Sequence, residues 1–463
     1  MKLKALSSIV LALFLSLNTL TPASAEPTDT ANQQQTGTQI TTDEQDTSPA
    51  PHAGAAILAD MKSGKILFEK NSDAKMYPAS TTKILTGILA LENTTMTDTV
   101  IATSEAISPI TNNHSHMGIL VGEELTVEQL LYGMLVYSAN DAANVLAVHI
   151  SGSIEAFCQM MNEKAAELGA TNSHFANPHG YHDDNHYTTA ADLVKITRYA
   201  MQNEQFRTIV ATDMYTMPAT NKYDETRYLS STNHLISRRR YANYFYNKAI
   251  GIKTGFTDEA GSCLVSAASD GDTELLSVIM KCENTTMVEN GAYSFVDSKN
   301  LLEYGFDNFE YINVAVVGDF VSDSNVYEAK DNERVVLTVE NDIGNILPVD
   351  YKKEDIKTNI TYNEKQIAAP IKKGDVLGSV VYEYRGEEIG SANLISTVDI
   401  KKDYIIATIH LIGKILLNPI FIILVILIVL LRIRAIKIRN RRRRHRRSRL
   451  QHIENDIEYY RRK

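Results

Sequence analysis

The hydrophobic pattern changes character several times along the chain. Lys2 and Lys4 precede an apolar run from Ile9 to Leu20 and the small-residue triplet Ala23-Ser24-Ala25. That order reads as an export signal over residues 1–25, since the run is short for a membrane span and the cleavage site is well placed. Residues 26–50 are rich in Thr, Gln, Asp and Pro and read as a disordered linker. From 51 to 307 the pattern is globular. Ala55–Asp60 and Lys65–Glu69 flank Lys62-Ser63-Gly64 as a hairpin. Val127, Leu130, Leu131 and Met134 share one helical face, and 141–150 continues in the same style. Gly261–Ser269 and Glu274–Cys282, joined by Asp270-Gly271-Asp272, return to β character. Strands at both ends and helices between them predict one sheet assembled from the two ends of an α/β domain, with a helical insertion beside it.

Short alternating runs such as Val335–Val339 and Gly378–Tyr384 then predict a small all-β domain over 308–402. Residues 411–431 are apolar except for Lys414, Asn418 and Pro419, about the ~20 residues that a transmembrane helix requires. A tail over 432–463 follows, with arginine at 441–444, 446, 447 and 449.

Charge sharpens this picture. The tail holds 14 Lys/Arg against three Asp/Glu, a net of +11, and the whole chain is −10, so residues 1–431 carry −21. The positive-inside preference puts the tail in the cytoplasm and the preceding bulk outside, a single-pass cell-membrane protein with an extracellular catalytic domain. So acidic an ectodomain does not seek nucleic acid. Three cysteines, Cys158, Cys263 and Cys282, are too few for a disulfide scaffold. Cys263 and Cys282 lie on the two strands of the 261–282 hairpin, either as a cross-strand bridge or as free thiols. Neither cofactor nor metal is expected. His179, His182 and His186 are spaced for a helix-borne site, but the Pro, Gly, Asp and Asn among them predict a loop.

Three strings carry the candidate chemistry: Ser80-Thr81-Thr82-Lys83, Ser138-Ala139-Asn140 and Lys253-Thr254-Gly255. Each alone is a weak signal, because a capping serine or a solvated lysine explains it. Together, in this order, they supply a hydroxyl nucleophile, an amine to deprotonate it, a second polar pair and a cationic anchor. Ser80 and Lys83 at i and i+3 share a helical face. Lys83 must be neutral to act as a base, and burial beside Lys253 lowers an amine's pKa. Ser138 is placed to relay a proton between Lys83 and the leaving amine. Asn140 can hold an amide of the substrate, and Gly255 leaves a strand edge open to an anionic peptide end.

With these strings placed, the chain resembles the serine-type D-alanyl-D-alanine carboxypeptidases of the low-molecular-mass penicillin-binding protein family. The match runs from about Ala55 to Phe306. It includes Tyr77–Lys83, Leu125–Leu135 leading to Ser138-Ala139-Asn140-Asp141-Ala142, Asn177–Gly180, His186–Ala190, Gly251–Thr257 and Leu301–Phe306. The resemblance implies an antiparallel sheet flanked by helices with a helical subdomain, like serine β-lactamases and penicillin-binding proteins, then the all-β domain and one transmembrane helix. It implies Ser80 as acylated nucleophile, Lys83 as proton acceptor and Ser138 as the third catalytic group. Asn140, Lys253, Thr254, Gly255 and Phe256 are implied to bind substrate, with the N–H groups of Ser80 and Phe256 as oxyanion hole. The implied substrate is the peptidoglycan stem pentapeptide, and β-lactams acylate the same serine.

Two features depart from the family. Tyr293-Ser294-Phe295 stands where members often carry an arginine, so carboxylate recognition falls more on Lys253 and Thr254. The C-terminal apolar span with its Arg-rich tail replaces a shorter amphipathic helix. A serine β-lactamase shares the three strings and differs by rapid turnover of penicillin. A non-catalytic β-lactam sensor would be expected to follow its membrane helices, whereas this domain precedes one.

Overall fold

The computed structural model describes residues 48–111, 115–238, 242–282, 292–330 and 333–462. The expected export signal and nearly all of the expected linker lie outside them. The first domain runs β1 (Ala53–Asp60), β2 (Ile66–Lys70), α1 (Lys83–Asn93), β3 (Thr99–Ile101), α2 (Ser104–Ile107), β4 (Glu124–Thr126) and α3 (Val127–Leu135). It continues with α4 (Asn140–Ser151), α5 (Ile154–Glu167), α6 (Ala190–Ala200), α7 (Glu204–Val210), β5 (Met214–Met217) and β6 (Arg227–Ser230). It closes with β7 (Ala249–Thr257), β8 (Gly261–Asp270), β9 (Thr273–Cys282) and α8 (Ala292–Asn308).

Strands from the two ends of this segment form one five-stranded sheet in the order β2-β1-β9-β8-β7, antiparallel throughout. Alternation assigns the faces. Ala55, Ile57 and Ala59 of β1 join Leu276, Val278 and Met280 of β9 in the larger core, under the helices. Ala56, Leu58, Leu275 and Ile279 point the other way, against Leu301 and Leu302 of α8. A strand buried on both faces reads as a continuous apolar run, which is why β1 looks uniform in sequence.

The helical part stands on local signals. Thr126 Oγ1 accepts the Gln129 N–H and Gln129 Oε1 accepts the Thr126 N–H, a capping box that starts α3. Leu130, Leu131 and Met134 bury the inner face of α3. Ser138 turns the chain at φ 69° before α4 begins at Asn140.

All three cysteines are free thiols. Cys263 pairs with Gly255 in the ladder, and Ser262 rather than Cys263 faces Cys282. The two side chains lie on opposite faces of the sheet, Cys263 in the helical core and Cys282 on the α8 side.

The second domain comprises β10 (Phe309–Ala315), β11 (Phe320–Asn325), β12 (Arg334–Val339), β13 (Ile343–Pro348), β14 (Ile356–Tyr362), β15 (Val376–Tyr384) and β16 (Glu387–Ser396). Five of them form a sheet, β11-β12-β16-β15-β14, and β10 pairs with β13. Val335, Leu337, Val380 and Leu394 centre its own core. It meets the first domain where the Tyr311 N–H donates to Thr273 Oγ1 at 2.8 Å and Lys62 Nζ sits 4.1 Å over the Tyr311 ring.

The apolar stretch expected as one helix over 411–431 is divided between α9 (Tyr404–Leu416) and α10 (Pro419–Arg461). Proline disfavours helix in the residue before it but suits a first helical turn, and Asn418 Oδ1 caps α10 by accepting the Ile420 N–H at 2.9 Å. Among the described residues α10 is the one helix long and apolar enough to cross a membrane.

Candidate active site

The site begins in a tight turn. Pro78 leads into a 3-10 turn over Ala79–Thr82, and α1 takes over at Lys83. Two threonine hydroxyls donate back to the carbonyls three residues earlier, Thr81 to Pro78 at 2.7 Å and Thr82 to Ala79 at 2.9 Å. Ala79 is held at φ 45°, a left-handed conformation unusual for a residue with a Cβ. The turn therefore presents Ser80 three residues before regular helix begins at Lys83.

Lys83 is fully buried. Its Nζ lies 2.7 Å from Ser80 Oγ, 2.7 Å from Asn140 Oδ1 and 2.8 Å from the His179 carbonyl. Asn140 Oδ1 and the His179 carbonyl can only accept. A neutral amine satisfies them with its two N–H groups and turns its lone pair to the Ser80 hydroxyl, the alignment that proton removal requires. Burial pushes the Lys83 pKa well below its usual value, Lys253 adds to this, and Asp141 opposes it.

Lys253, in the middle of β7, is equally buried, and burial lowers it to about 7. Its Nζ lies 3.0 Å from Ser138 Oγ and 2.9 Å from the Thr254 carbonyl. Ser138 is thus joined to the second lysine, while Asn140 is joined to the first. The neighbouring Thr254 hydroxyl lies 2.6 Å from the hydroxyl of Thr232, a residue outside the three strings.

Gly255 lines the groove beside Ser80 and also packs against the turn that carries it. A Cβ there would stand 3.0 Å from both the Pro78 carbonyl and the Ser80 nitrogen, and 3.1 Å from Ala79 Cβ. Glycine lets β7 lie directly against the turn that carries Ser80. Phe256 follows with an exposed ring.

Two cavities meet at Ser80, Ser115 and Phe256. One, of about 430 Å³, is bounded by Asn140, Gly180, Tyr181, His182 and Glu259. The other, of about 270 Å³, is bounded by Ser138, Thr232, His234, Thr254 and Phe295. Ser294 and Phe295 of α8 thus line the second cavity at the position where the family resemblance leads one to expect an arginine.

All three strings converge on this groove. Thr232, Gly180, the His179 carbonyl and His186 also belong to it or to its support, and no motif pointed to Thr232 or to the carbonyl. The three histidines diverge. His186 Nε2 reaches Thr82, and the His182 ring packs edge-on to Tyr77 with centroids 4.7 Å apart. Among the described residues no group of three or more His, Cys, Asp or Glu is placed to hold a metal ion.

A serine hydroxyl against a buried lysine amine, at the edge of an antiparallel sheet capped by a helical subdomain, is the arrangement of an active-site serine hydrolase. Comparison with known proteins narrows the class. Residues 41–284 match the family model of D-alanyl-D-alanine carboxypeptidases, and 309–402 match the C-terminal domain of penicillin-binding protein 5. The D-alanyl-D-alanine carboxypeptidase DacF of Bacillus subtilis is 31% identical over 358 residues, covering 76% of this chain and 87% of the relative. DacA of Haemophilus influenzae is 32% identical over 360 residues, 75% and 85% of the two chains. The crystal structure of penicillin-binding protein 5 from Haemophilus influenzae superposes with a TM-score of 0.63 at 31% identity, over 77% of this chain and 99% of that one. The chain belongs to the D-alanyl-D-alanine carboxypeptidase family, as a serine-type enzyme of the low-molecular-mass penicillin-binding protein kind.

Proposed function

We propose that Ser80 removes the terminal D-alanine from peptidoglycan stem pentapeptides through an acyl-enzyme, with the named side chains dividing the work as follows. The Lys83–Ser80 contact of 2.7 Å inside a buried site carries this reading. Neutral Lys83 takes the Ser80 proton as Oγ attacks the carbonyl of the D-Ala-D-Ala bond. The N–H groups of Ser80 and Phe256 receive the developing oxyanion. The substrate's terminal carboxylate lies in the smaller cavity, against Thr254 and Thr232 and over the Lys253 charge. Its acyl side lies in the larger one, with its amide on Asn140.

The C–N bond then breaks and the leaving amine needs a proton. Lys253, bonded to Ser138, delivers it through that hydroxyl, and the proton that Lys83 took from Ser80 replaces it, so that Lys83 is neutral again. Free D-alanine departs and leaves Ser80 esterified. Water adds to the ester with Lys83 as base, which restores the serine and releases the shortened stem. β-Lactams enter by the first half of this path and form a longer-lived ester. The α10 helix would hold the enzyme to the membrane, with the catalytic domain outside the cell and the Arg-rich tail inside.

The test uses the full chain in detergent with a D-Ala-D-Ala-terminated peptide. Wild type should release D-alanine, and Ser80→Ala should lower kcat at least ~1,000-fold, as expected when a covalent nucleophile is removed. Penicillin should add its mass to the tryptic peptide containing Ser80. Equal D-alanine release by both proteins would sink the assignment.

A further inference from the structure

His186 takes no part in the steps above, yet it sits directly behind the nucleophile's turn. It is almost wholly buried, with Phe175 edge-on at 5.5 Å between centroids. The Ala176 N–H donates to Nδ1 at 3.0 Å. In the neutral ring the proton is therefore on Nε2. Nε2 lies 2.8 Å from Thr82 Oγ1, and that hydroxyl donates its own proton to the Ala79 carbonyl at 2.9 Å. The direction of the chain is thus determined at each link: Ala176 N–H to Nδ1, Nε2–H to Thr82 Oγ1, Thr82 O–H to the Ala79 oxygen. Burial also lowers the imidazole to about 3, so the ring stays neutral wherever the enzyme works.

The far end of this relay matters because of peptide planarity. The Ala79 carbonyl and the Ser80 N–H belong to one peptide unit and point in opposite directions from one plane. Gripping the oxygen from behind aims the N–H forward, into the groove. The grip is close. Gly180, at φ 83°, leaves the space that the Ala79 carbonyl occupies, and a Cβ there would collide with that oxygen. Ala79 itself is held in a left-handed conformation that an unsupported alanine abandons. A hydrogen bond to the carbonyl also polarises the N–H on the same peptide.

We infer that His186, acting through Thr82, is a positioning residue for the oxyanion hole. The pair clamps the carbonyl face of the Ala79–Ser80 peptide so that its N–H face meets the acylation site. This rests on the acyl-enzyme reading above, which Ser80→Ala tests separately.

The decisive variants are Thr82→Val, of the same shape without the donor, Thr82→Ser, which restores the hydroxyl, and His186→Phe. Each is made in the full chain in detergent. kcat and KM for D-alanine release are measured together with the penicillin acylation rate. Removing one oxyanion donor outright slows an enzyme ~100- to 1,000-fold, so misaiming one should cost roughly 10- to 100-fold. Thr82→Val and His186→Phe should lose that much in kcat and in acylation, with KM within about threefold of wild type. Thr82→Ser should recover to within about threefold. Wild-type kcat in Thr82→Val, a loss confined to KM, or a Thr82→Ser as slow as Thr82→Val each overturns the inference. Should the variants fail to fold, nitrogen NMR of histidine-labelled wild type decides. The inference requires a neutral His186 protonated on Nε2 from pH 5 to 9, and an Nδ1–H tautomer or a charged ring refutes it.

Discussion

Lys83 and Lys253 are both buried, and among the described residues neither has a carboxylate as a hydrogen-bond partner at its nitrogen. For Lys253 a fall from 10.5 to about 7 corresponds to about 5 kcal/mol of stability withheld while the amine is charged. The sign follows from proton counting. Below pH 7 both folded and unfolded chains bind the proton and the burial cost is present in full. Between about 7 and 10.5 only the unfolded chain keeps it, so stability rises with pH across that window. Lys253→Met removes the charge and keeps the length, losing two hydrogen bonds worth ~1 kcal/mol each. It should melt higher than wild type at pH 6, with a smaller gap at pH 9, and should lower kcat at least ~100-fold. Calorimetry at the two pH values checks this. A variant that melts below wild type at both would show that the bonds to Ser138 and Thr254 outweigh the desolvation.

The elements that hold the site were legible to different degrees, for physical reasons. Periodic apolar faces declared α3 and α4, and the two hairpins declared the sheet. The three strings were legible because each packs its chemistry into three or four consecutive residues. Support from outside them was not. Thr232 reaches Thr254 from another segment, and the His179 carbonyl contributes an atom that every residue has. His186 was visible in the His186–Ala190 string and in a histidine spacing whose loop residues argued against a metal site, but nothing in either placed it against Thr82. Ser138 was expected to relay protons for Lys83, whereas its hydroxyl lies 3.0 Å from Lys253 Nζ, since nothing local says which amine a turn will face. Gly255 serves the packing of an element as well as the lining of the groove. Because a Cβ would press on Pro78 and Ser80, Gly255→Ala should push β7 away from the turn. The expected loss is about 1–3 kcal/mol of stability, typical of overpacking, and at least ~10-fold in kcat. Thermal unfolding and D-alanine release check it together, and an active, equally stable variant would show that the strand can yield without moving the groove.

On the scale of the whole molecule, the question is what holds a catalytic groove at a membrane. The uncharged part of α10, Pro419–Leu431, is only ~20 Å long at 1.5 Å per residue, against a hydrocarbon core of ~30 Å. Ile433 and Ile436 can extend it if Arg432 and Arg434 snorkel to the headgroups. The preceding helix offers a second contact. Ile405, Ile409, Ile412 and Leu416 recur at i, i+4, i+7 and i+11 along α9 and are all exposed, the face of a helix that lies in an interface. Its other side is fastened to the β domain. His410 stacks on Tyr327 with centroids 4.3 Å apart, and Lys402 pairs with Glu328 at 2.7 Å beside the helix start. Contact of α9 with lipid would therefore set the height of both domains above the bilayer, with α10 preventing escape. Chains ended after Leu417 and after Asp403 separate the two elements. Mixed with phosphatidylcholine–phosphatidylglycerol vesicles and centrifuged, the chain ending at Leu417 should sediment in part and the chain ending at Asp403 should stay in solution. Both should release D-alanine from a short peptide at the full-length rate, because the groove is built entirely from residues before Asp403. Equal partitioning of the two truncated chains would assign the whole of membrane attachment to α10.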